Sequence, residues 1–483
     1  MGLGSAQLIG LVLGPCLGLL MLLLGAPEGL TFAAWATAAL VVWMAVWWAT
    51  EAIPIPATSL LPLAVLPIVG AGTSSEATAG YSSPIVLLLL GGFVVALGIE
   101  RWGLHKRIAL GVIATFGGGQ RGLILGFMVA TAGLSMWISN TATTLMMMPI
   151  ALSAAAALDE ENHSFALALL LGVCYAASIG GVATPIGTPT NLIAIDWLEQ
   201  NVDATIGYVQ WMAFGVPAML LLIPVAWWSV TVGLKARTDA DGAVAEVRRQ
   251  RADLGLITAP EARVAIVFGV VAFLWVVRVP IQSWAAAEDI VWVASVSDMG
   301  IAIAGAIAMF LVPAGGKTNR MLLTWPEAVK LPWGVLVLFG GGISLGRAIT
   351  RTGLSAWIGE QLSILSVVPP IVFVVAVVAL VIFLTELTSN VATMTTLAPV
   401  LGTLAISVGV APASLLGPAA VAASCAFMLP VATAPNAIIY ATDKVPVAAM
   451  MRAGFRVNVV GAAIIAAVGY YIAPLVLAAS AQL

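Results

Sequence analysis

Long apolar segments follow one another along the whole sequence, with few charged residues between them. Hydrophobic residues make up 61% of the 483 positions and charged residues only 8%, whereas a soluble domain carries roughly 25% charged residues. A chain of this length cannot cover a water-exposed surface with so few charges, so the lipid bilayer must be its main solvent. The net charge of −3 gives no sign of a nucleic-acid partner. The sequence therefore predicts a polytopic membrane protein.

Eleven segments are long and apolar enough to be transmembrane helices, since a span needs roughly 20 apolar residues. They lie near residues 8–25, 31–50, 57–74, 84–101, 165–197, 210–233, 263–280, 298–314, 334–352, 413–442 and 456–479.

Two further apolar segments, 122–157 and 364–407, are too long for one span. Each carries a polar cluster near its middle, SNTATT at 139–144 and TSNVATMTT at 388–396. Non-helical backbone at membrane depth is tolerated only where it is buried in protein or lines a cavity. Both segments are therefore predicted to be re-entrant helical hairpins. The expected fold is all-α, with about 11 transmembrane helices and two such hairpins.

Basic residues are concentrated in two loops. Segment 235–263 carries six Lys and Arg residues and segment 101–121 carries four, whereas 281–297 carries none. Basic loops stay in the cytoplasm, and the span count places both of these loops on one side. We therefore expect a cytoplasmic N-terminus and an external C-terminus, in a bacterial inner membrane.

The sequence contains an internal repeat. Ser139-Asn140-Thr141 and Ser389-Asn390-Val391 are 250 positions apart, and each serine precedes a proline by ten residues. Segment 185–191, PIGTPTN, matches 430–436, PVATAPN, at an offset of 245. The span count makes the two copies inverted, as in many secondary transporters, where broken helices in corresponding positions form the binding site near the midplane.

The repeated segments contain almost no formal charge. Glu386 is the one charged residue between Glu360 and Asp443, and the two histidines, His105 and His163, lie in predicted loops. An enzyme would need a nucleophile with its base, paired carboxylates or metal ligands, so catalysis is disfavoured. Hydroxyls, carboxamides and backbone carbonyls suit a hard monovalent cation such as Na⁺. A bound cation would then attract an anionic substrate.

Two strings resemble nucleotide-binding motifs but lack the required context. Segment 117–122 fits GxGxxG without a surrounding βαβ unit, and Gly316-Lys317-Thr318 resembles the end of a P-loop whose first glycine position is occupied by Leu311. We therefore expect no use of ATP, and transport driven by a gradient or by exchange.

At these motifs the sequence resembles the divalent anion:sodium symporter family. This family includes bacterial INDY-type dicarboxylate transporters and mammalian sodium-coupled dicarboxylate, citrate and sulfate carriers. The resemblance covers nearly the whole chain. It includes WWATEAIP at 47–54, SNT at 139–141, TELTSN at 385–390 and MLPVATAPN at 428–436.

The resemblance implies a homodimer with a fixed scaffold and a transport domain that moves like an elevator. The expected divisions are 1–121 (scaffold, first half), 122–233 (transport domain, first half), 234–262 (cytoplasmic linker), 263–352 (scaffold, second half) and 353–483 (transport domain, second half).

The resemblance also implies two Na⁺ sites and one substrate site. The expected Na⁺ ligands are Ser135, Ser139, Asn140 and Gly187 in the first site, and Thr385, Thr388, Asn390 and Ala432 in the second. The expected substrate contacts are Asn140, Thr141, Thr188, Pro189, Asn390, Val391, Thr433 and Ala434. Val391 replaces a threonine that is frequent in the family, and Ala434 replaces a usual proline; both lie beside the expected substrate and bear on its identity.

The sequence thus favours an Na⁺-coupled importer of C4-type dicarboxylates such as succinate, malate or fumarate. Two or more Na⁺ ions would be transported, and no organic cofactor is expected. Three alternatives remain open at this point: an Na⁺-independent dicarboxylate exchanger, a sulfate or citrate carrier of the same fold, and a passive channel. A membrane-embedded enzyme is disfavoured because a catalytic constellation is missing from the sequence.

Overall fold

The computed structural model describes residues 5–117, 119–158, 163–202, 206–232, 234, 240–315, 318–362 and 369–477. These residues are mostly helical, as predicted for an all-α membrane protein. One short antiparallel pair of strands, which the sequence did not predict, occurs in the described part.

Seven helices precede the first predicted hairpin. They are α1 (Ser5–Leu24), α2 (Phe32–Thr50), α3 (Ile55–Thr58), α4 (Leu61–Ile68), α5 (Ser74–Ala79), α6 (Pro84–Arg101) and α7 (Leu104–Ile113). The predicted span 57–74 is not one continuous helix. Pro56, Pro62 and Pro67 lie in this region, and proline lacks the N–H that a helix interior requires, so two short helices form instead.

The first hairpin and the broken helix after it follow the predicted pattern. The helices are α8 (Gly119–Ser135), α9 (Asn140–Ala156), α10 (His163–Gly181), α11 (Pro189–Asn201) and α12 (Tyr208–Thr231). α8 and α9 flank a turn at 136–139, inside the predicted hairpin. The predicted span 165–197 divides at 182–188, where Pro189 occupies the first turn of α11, a position that proline favours.

The middle of the chain combines the linker with long apolar helices. The elements are α13 (Asp241–Asp253), α14 (Ala259–Ala287), α15 (Val291–Ala294), α16 (Asp298–Leu311), β1 (Pro313–Gly315), β2 (Thr318–Met321), α17 (Trp325–Ala328), α18 (Trp333–Arg351) and α19 (Leu354–Leu362). α13 lies within the predicted linker. In the β1–β2 pair, Pro313 lies opposite Met321.

The last third repeats the arrangement of α8–α12. Its helices are α20 (Pro370–Thr385), α21 (Asn390–Ser407), α22 (Ala413–Ala423), α23 (Ala434–Tyr440), α24 (Val447–Tyr471) and α25 (Ala473–Leu477). α20 and α21 flank a turn at 386–389, and the predicted span 413–442 divides at 424–433. The order of hairpin, broken helix and long helix therefore occurs twice.

Nine helices of the described residues are long and apolar enough to cross a membrane. Four shorter apolar helical segments accompany them: Ile55–Ile68, Asp298–Leu311, Pro370–Thr385 and Ala413–Ala423. The polytopic character is confirmed, while the count of eleven spans stays a prediction because several predicted spans are broken or short.

The largest apolar core draws most of its residues from α8–α12 and α20–α24. Trp211, Tyr175 and Phe427 are fully buried in it. A separate core joins α2 and α4 to α18, and another joins α6 to α16. The two hairpins and both broken helices thus share one packed body. The proposed domain limits themselves stay a prediction.

Candidate functional site

A cavity of about 1020 Å³ lies where the tips of both hairpins meet both helix breaks. All eight predicted substrate contacts line it. Besides Asn140 and Asn390, four predicted Na⁺ ligands also reach its wall: Ser139, Gly187, Thr388 and Ala432. Ser135 and Thr385 lie behind the wall and are fully buried. The structure thus brings together residues that are up to about 300 positions apart in sequence.

Three charged residues also line the cavity: Glu51, Glu100 and Lys330. Glu51 follows α2, Glu100 is near the end of α6, and Lys330 precedes α18. We call the part of the lining that these three residues form the mouth of the cavity.

In the first half, side-chain and backbone oxygens converge behind the hairpin tip. The Ser135 hydroxyl lies 2.8 Å from Asn140 Oδ1 and 2.7 Å from the Ala177 carbonyl oxygen. Gly187 packs so closely that a Cβ at its position would be 2.5 Å from the Gly181 carbonyl oxygen and 3.0 Å from that of Ser135. Glycine is therefore needed here for backbone to approach backbone.

The second half repeats this arrangement. The Thr385 hydroxyl lies 2.8 Å from Asn390 Oδ1 and 2.8 Å from the Ala423 carbonyl oxygen. Thr385 and Asn390 are each 250 positions after Ser135 and Asn140. The Thr388 hydroxyl lies 2.6 Å from that of Thr393, a contact to which the first half offers no hydroxyl equivalent, since Ile138 stands there.

Two asparagines hold the helix breaks open. The Asn191 amide donates to the carbonyls of Gly181 at 3.0 Å and Thr184 at 2.7 Å. Asn191 and Thr184 are fully buried. These bonds satisfy backbone oxygens that the broken helix leaves without helical partners. Sequence reasoning noted this asparagine only as part of a repeated motif.

Asn436 makes the equivalent pair of bonds in the second half. Its amide donates to the carbonyls of Ala426 at 3.0 Å and Leu429 at 2.8 Å. All three positions are shifted by 245 from their first-half counterparts. The two asparagines therefore occupy equivalent positions in the repeat, and each one fixes the backbone at a helix break.

The two halves touch directly at the breaks. The Thr190 hydroxyl lies 2.9 Å from that of Ser424, and the Cys174 thiol lies 2.9 Å from Asn436 Oδ1. A movement of one helix break relative to the other would therefore break polar contacts between the two halves.

Glu386 is a buried carboxylate beside the second helix break. It accepts backbone N–H groups of Phe427, Met428 and Leu429 at 2.8 to 3.2 Å and the Asn458 amide at 2.7 Å. Met136 occupies the equivalent position in the first half. The sequence marks Glu386 as a lone charge in a long neutral stretch, but only the fold brings 427–429 to it.

At the hairpin tips and helix breaks, the cavity wall consists of neutral oxygen and amide groups. Within the described ranges, no group of three or more His, Cys, Asp or Glu residues could hold a metal ion. Oxygen ligands favour hard cations over transition metals. The arrangement suits a cation that binds to hydroxyl, carboxamide and carbonyl oxygens.

Broken helices that meet at a polar cavity inside a helical membrane protein define a secondary transporter. The chain belongs to the family described as the sodium:sulfate symporter transmembrane region, whose model matches residues 5–478. This confirms the family resemblance, and the relatives and the fold are those of transporters.

Sequence relatives match over nearly the full length. A protein of Staphylococcus aureus (strain MRSA252) named sodium-dependent dicarboxylate transporter SdcS is 42% identical over 487 residues, covering 98% of this chain and 92% of that protein. The SdcS of S. aureus strain USA300 is 41% identical with the same coverage.

Two solved structures share the fold. The structure of Neisseria gonorrhoeae MtrF, described within a class of antimetabolite efflux pumps, aligns with a TM-score of 0.59 at 14% identity, covering 91% of this chain and 95% of that one. The Alcanivorax borkumensis YdaH transporter, described as having an unusual topology, aligns with a TM-score of 0.56 at 12% identity, covering 94% and 97%. At such identities the likeness concerns the fold alone.

Proposed function

We propose that the protein is an Na⁺-coupled symporter of C4-type dicarboxylates in a bacterial plasma membrane. The observation that carries the proposal is the duplicated cluster of neutral oxygens, Ser135 with Asn140 and Thr385 with Asn390, at the two hairpin tips of one cavity. The names of the S. aureus relatives support the substrate and the coupling ion.

In this proposal each half binds one Na⁺ ion. The first ion is held by Ser135, Ser139, Asn140 and the Gly187 backbone, and the second by Thr385, Thr388, Asn390 and the Ala432 backbone. A cation bound at each cluster would be coordinated by the asparagine carboxamide oxygen, which in this structure accepts a hydrogen bond from the hydroxyl group. The hydroxyl group would then rotate so that its oxygen also coordinates the ion. Two cations supply the positive charge that the hairpin tips and helix breaks lack.

The substrate lies between the two tips. Asn140, Thr141, Thr188 and Pro189 meet one carboxylate, and Asn390, Val391, Thr433 and Ala434 meet the other. The amide N–H groups of both asparagines remain available to donate, since their oxygens face the cation side. A dianion binds well only after both cations have bound, which couples the two fluxes.

Alternating access requires the packed body of hairpins and broken helices to move as a unit. The shared core of α8–α12 and α20–α24 and the direct contacts between the two halves support such a rigid transport domain. We propose an elevator movement of this domain against a scaffold that forms a homodimer, with inverted repeats and the cavity mouth on the cytoplasmic side.

The test is uptake of labelled succinate into proteoliposomes of the purified protein, with an inward Na⁺ gradient and with K⁺ in its place. Symport predicts concentrative uptake only with the Na⁺ gradient. Uptake without Na⁺ that depends on dicarboxylate loaded inside the vesicles would instead identify an exchanger. Unlabelled sulfate and citrate, added as competitors, would show whether either replaces succinate as the preferred substrate.

A further inference from the structure

A second cavity, of about 290 Å³, lies away from the substrate site, between α10, α12 and α24. Ser164 near the start of α10, Ser229 near the end of α12, and Arg452 and Arg456 near the start of α24 form its polar part. Nothing in the transport cycle proposed above uses these four side chains. The cavity therefore calls for its own explanation.

Two guanidinium groups face this cavity, and among the described residues neither has a carboxylate partner. Arg452 Nε donates to the Ala448 carbonyl at 3.1 Å, and Arg456 donates through Nε to the Ser229 hydroxyl at 3.2 Å and through Nη2 to the Ser229 carbonyl at 2.8 Å. No carboxylate of the described residues forms an ion pair with either arginine. Within the described part of the chain, neither Nη atom of Arg452 nor Nη1 of Arg456 has a hydrogen-bond acceptor.

The placement of these charges is unfavourable without an anion. Like charges four residues apart on a helix repel each other. A bound anion between the two guanidinium groups would offset this repulsion. Arginine pairs hold phosphate groups through parallel hydrogen bonds.

The surroundings of the cavity are those of a lipid. Leu167, Ala168 and Leu171 form its apolar floor. On the neighbouring flank of α24, Met451, Phe455 and Val459 follow one another at helical spacing and are 40 to 50% exposed. α24 has 25 residues, about 37 Å at 1.5 Å per residue, longer than the roughly 30 Å hydrocarbon core. Its first turns therefore reach the headgroup level.

We propose that this cavity binds the phosphate headgroup of an anionic phospholipid, with Arg452 and Arg456 on the phosphate and an acyl chain along Phe455 and Val459. Basic pockets between transmembrane helices recognise lipid headgroups in this way. The cavity lies at the end of α12 from which the chain continues to α13, so the lipid belongs to the leaflet on the linker side.

The test uses the detergent-solubilised full-length protein and its unfolding midpoint temperature. A ligand that binds only the folded state raises this temperature, because it adds RT ln(1 + [L]/Kd) to the free energy of unfolding. Three probes are titrated separately: dioctanoyl-phosphatidylglycerol, dioctanoyl-phosphatidylcholine and inorganic phosphate. The anionic lipid should raise the midpoint at lower concentration than the zwitterionic lipid, and inorganic phosphate should neither raise it nor compete.

Two variants should weaken the response to phosphatidylglycerol. Arg452→Gln removes one guanidinium, and Ala449→Glu places a carboxylate one turn from Arg452, so that it occupies the same donors. Each should raise the lipid concentration that produces a given rise of the midpoint at least about fivefold. Arg248→Gln, which removes an exposed positive charge on α13, serves as the matched control and should leave the titration unchanged.

Three results would overturn the assignment. Equal stabilisation by the two lipids would remove the role of headgroup charge. Competition by inorganic phosphate would make this a site for free phosphate. An unchanged titration for either folded variant would remove the arginines from the site. Because the second variant keeps both arginines, a failure of Arg452→Gln to fold still leaves a decisive measurement.

Discussion

Asp196 on α11 forms an ion pair of 3.9 Å with Arg347 on α18. The Asp196 carboxylate is only 8% exposed and also accepts the Ser83 hydroxyl at 3.3 Å. Asp196 is seven residues beyond Pro189, about 10 Å along the helix from the substrate cavity. The pair therefore joins the proposed transport domain to the proposed scaffold.

Replacement of Asp196 by Asn should shift the protein away from the conformation described here. The change keeps the size of the side chain but removes the charge that Arg347 attracts. A partly exposed ion pair is worth about 1 kcal/mol at most, so we expect roughly a threefold to fivefold change in the ratio of the two states. The measurement is maleimide labelling of a Leu145→Cys probe on the cavity wall, with Cys16 replaced by Ser.

Labelling from the mouth side should fall in the Asp196→Asn protein. Asp289→Asn, which removes an exposed carboxylate from a turn, is the control for lost charge and should label like the parent. Equal labelling of all three proteins would mean that the Asp196–Arg347 pair does not distinguish the two states.

The paired asparagines should be indispensable for transport. Each carboxamide oxygen serves the proposed cation while its N–H serves the substrate, and alanine can do neither. Asn140→Ala and Asn390→Ala should each reduce Na⁺-driven succinate uptake by about a hundredfold or more, with folded protein still present in the membrane. Asn201→Ala removes a carboxamide that donates to the Trp197 carbonyl on α11 and should retain most uptake. Near-normal transport by either of the first two variants would contradict the two-site proposal.

Val391→Thr should alter the preference among substrates. Val391 and Thr141 both line the cavity, so one hairpin tip offers a methyl group where the other offers a hydroxyl. A net hydrogen bond is worth roughly 0.5–1.5 kcal/mol, and more to a charged group. Relative affinities for succinate, malate and citrate should change by about threefold to tenfold, with little change in Na⁺ affinity. Competition assays that give the same ranking for both proteins would place Val391 outside the substrate contacts.

Reporter fusions should reveal the orientation in the membrane. A reporter that is active only outside the cell should be active after the C-terminus or near residue 288, between α14 and α15, and inactive at 245 within α13. Activity at 245 would reverse the proposed orientation and place the cavity mouth on the external side.

Acid should remove a specific stabilising contribution from Glu327 on α17. Burial opposes its ionisation, but hydrogen bonds from Arg320 and Thr324, together with the charge of Arg101, outweigh that effect and lower the pKa of Glu327 to about 2. Because the folded pKa lies below the ordinary value of 4.5, the stabilisation is complete above about pH 4.5 and is lost as the pH falls toward 2.

Glu327→Gln should therefore lower the unfolding temperature at pH 7 and have a progressively smaller effect below about pH 4.5. The pKa shift of Glu327 corresponds to at most about 3 kcal/mol of stability. The actual contribution is smaller, because the two arginines are about a third exposed and solvent screens their charges. Glu288→Gln, at an exposed position, is the control. An effect of Glu327→Gln that stays constant from pH 7 to 3 would contradict the titration.

The hairpins and helix breaks could be predicted because a polar residue inside an apolar segment costs free energy in the membrane. Its presence therefore indicates a position where the helix turns or breaks. The SN pairs at 139–140 and 389–390 fall directly at the starts of α9 and α21. The placement of the site residues around one cavity agrees with the repeat, whereas their ligand roles stay predictions.

Other features depend on contacts between distant segments, which periodicity does not encode. The Ser83–Asp196 contact spans 113 positions, and Glu386 meets the backbone about 41 positions later. The predicted span 57–74 did not include the interruption between α3 and α4. A hydropathy average counts the prolines of an apolar segment as if they could continue a helix.

The cavity, at about 1020 Å³, is far larger than a C4 dicarboxylate. A dicarboxylate that carries a bulky tail could therefore enter from the mouth side, place its two charges at the hairpin tips, and fill the remaining space with the tail. The same compound applied from the opposite side would meet the closed contact of α11 with α18. Inhibitors of this kind should therefore act from one side of the membrane only. The side of application, and not only the concentration, would decide whether the compound blocks transport.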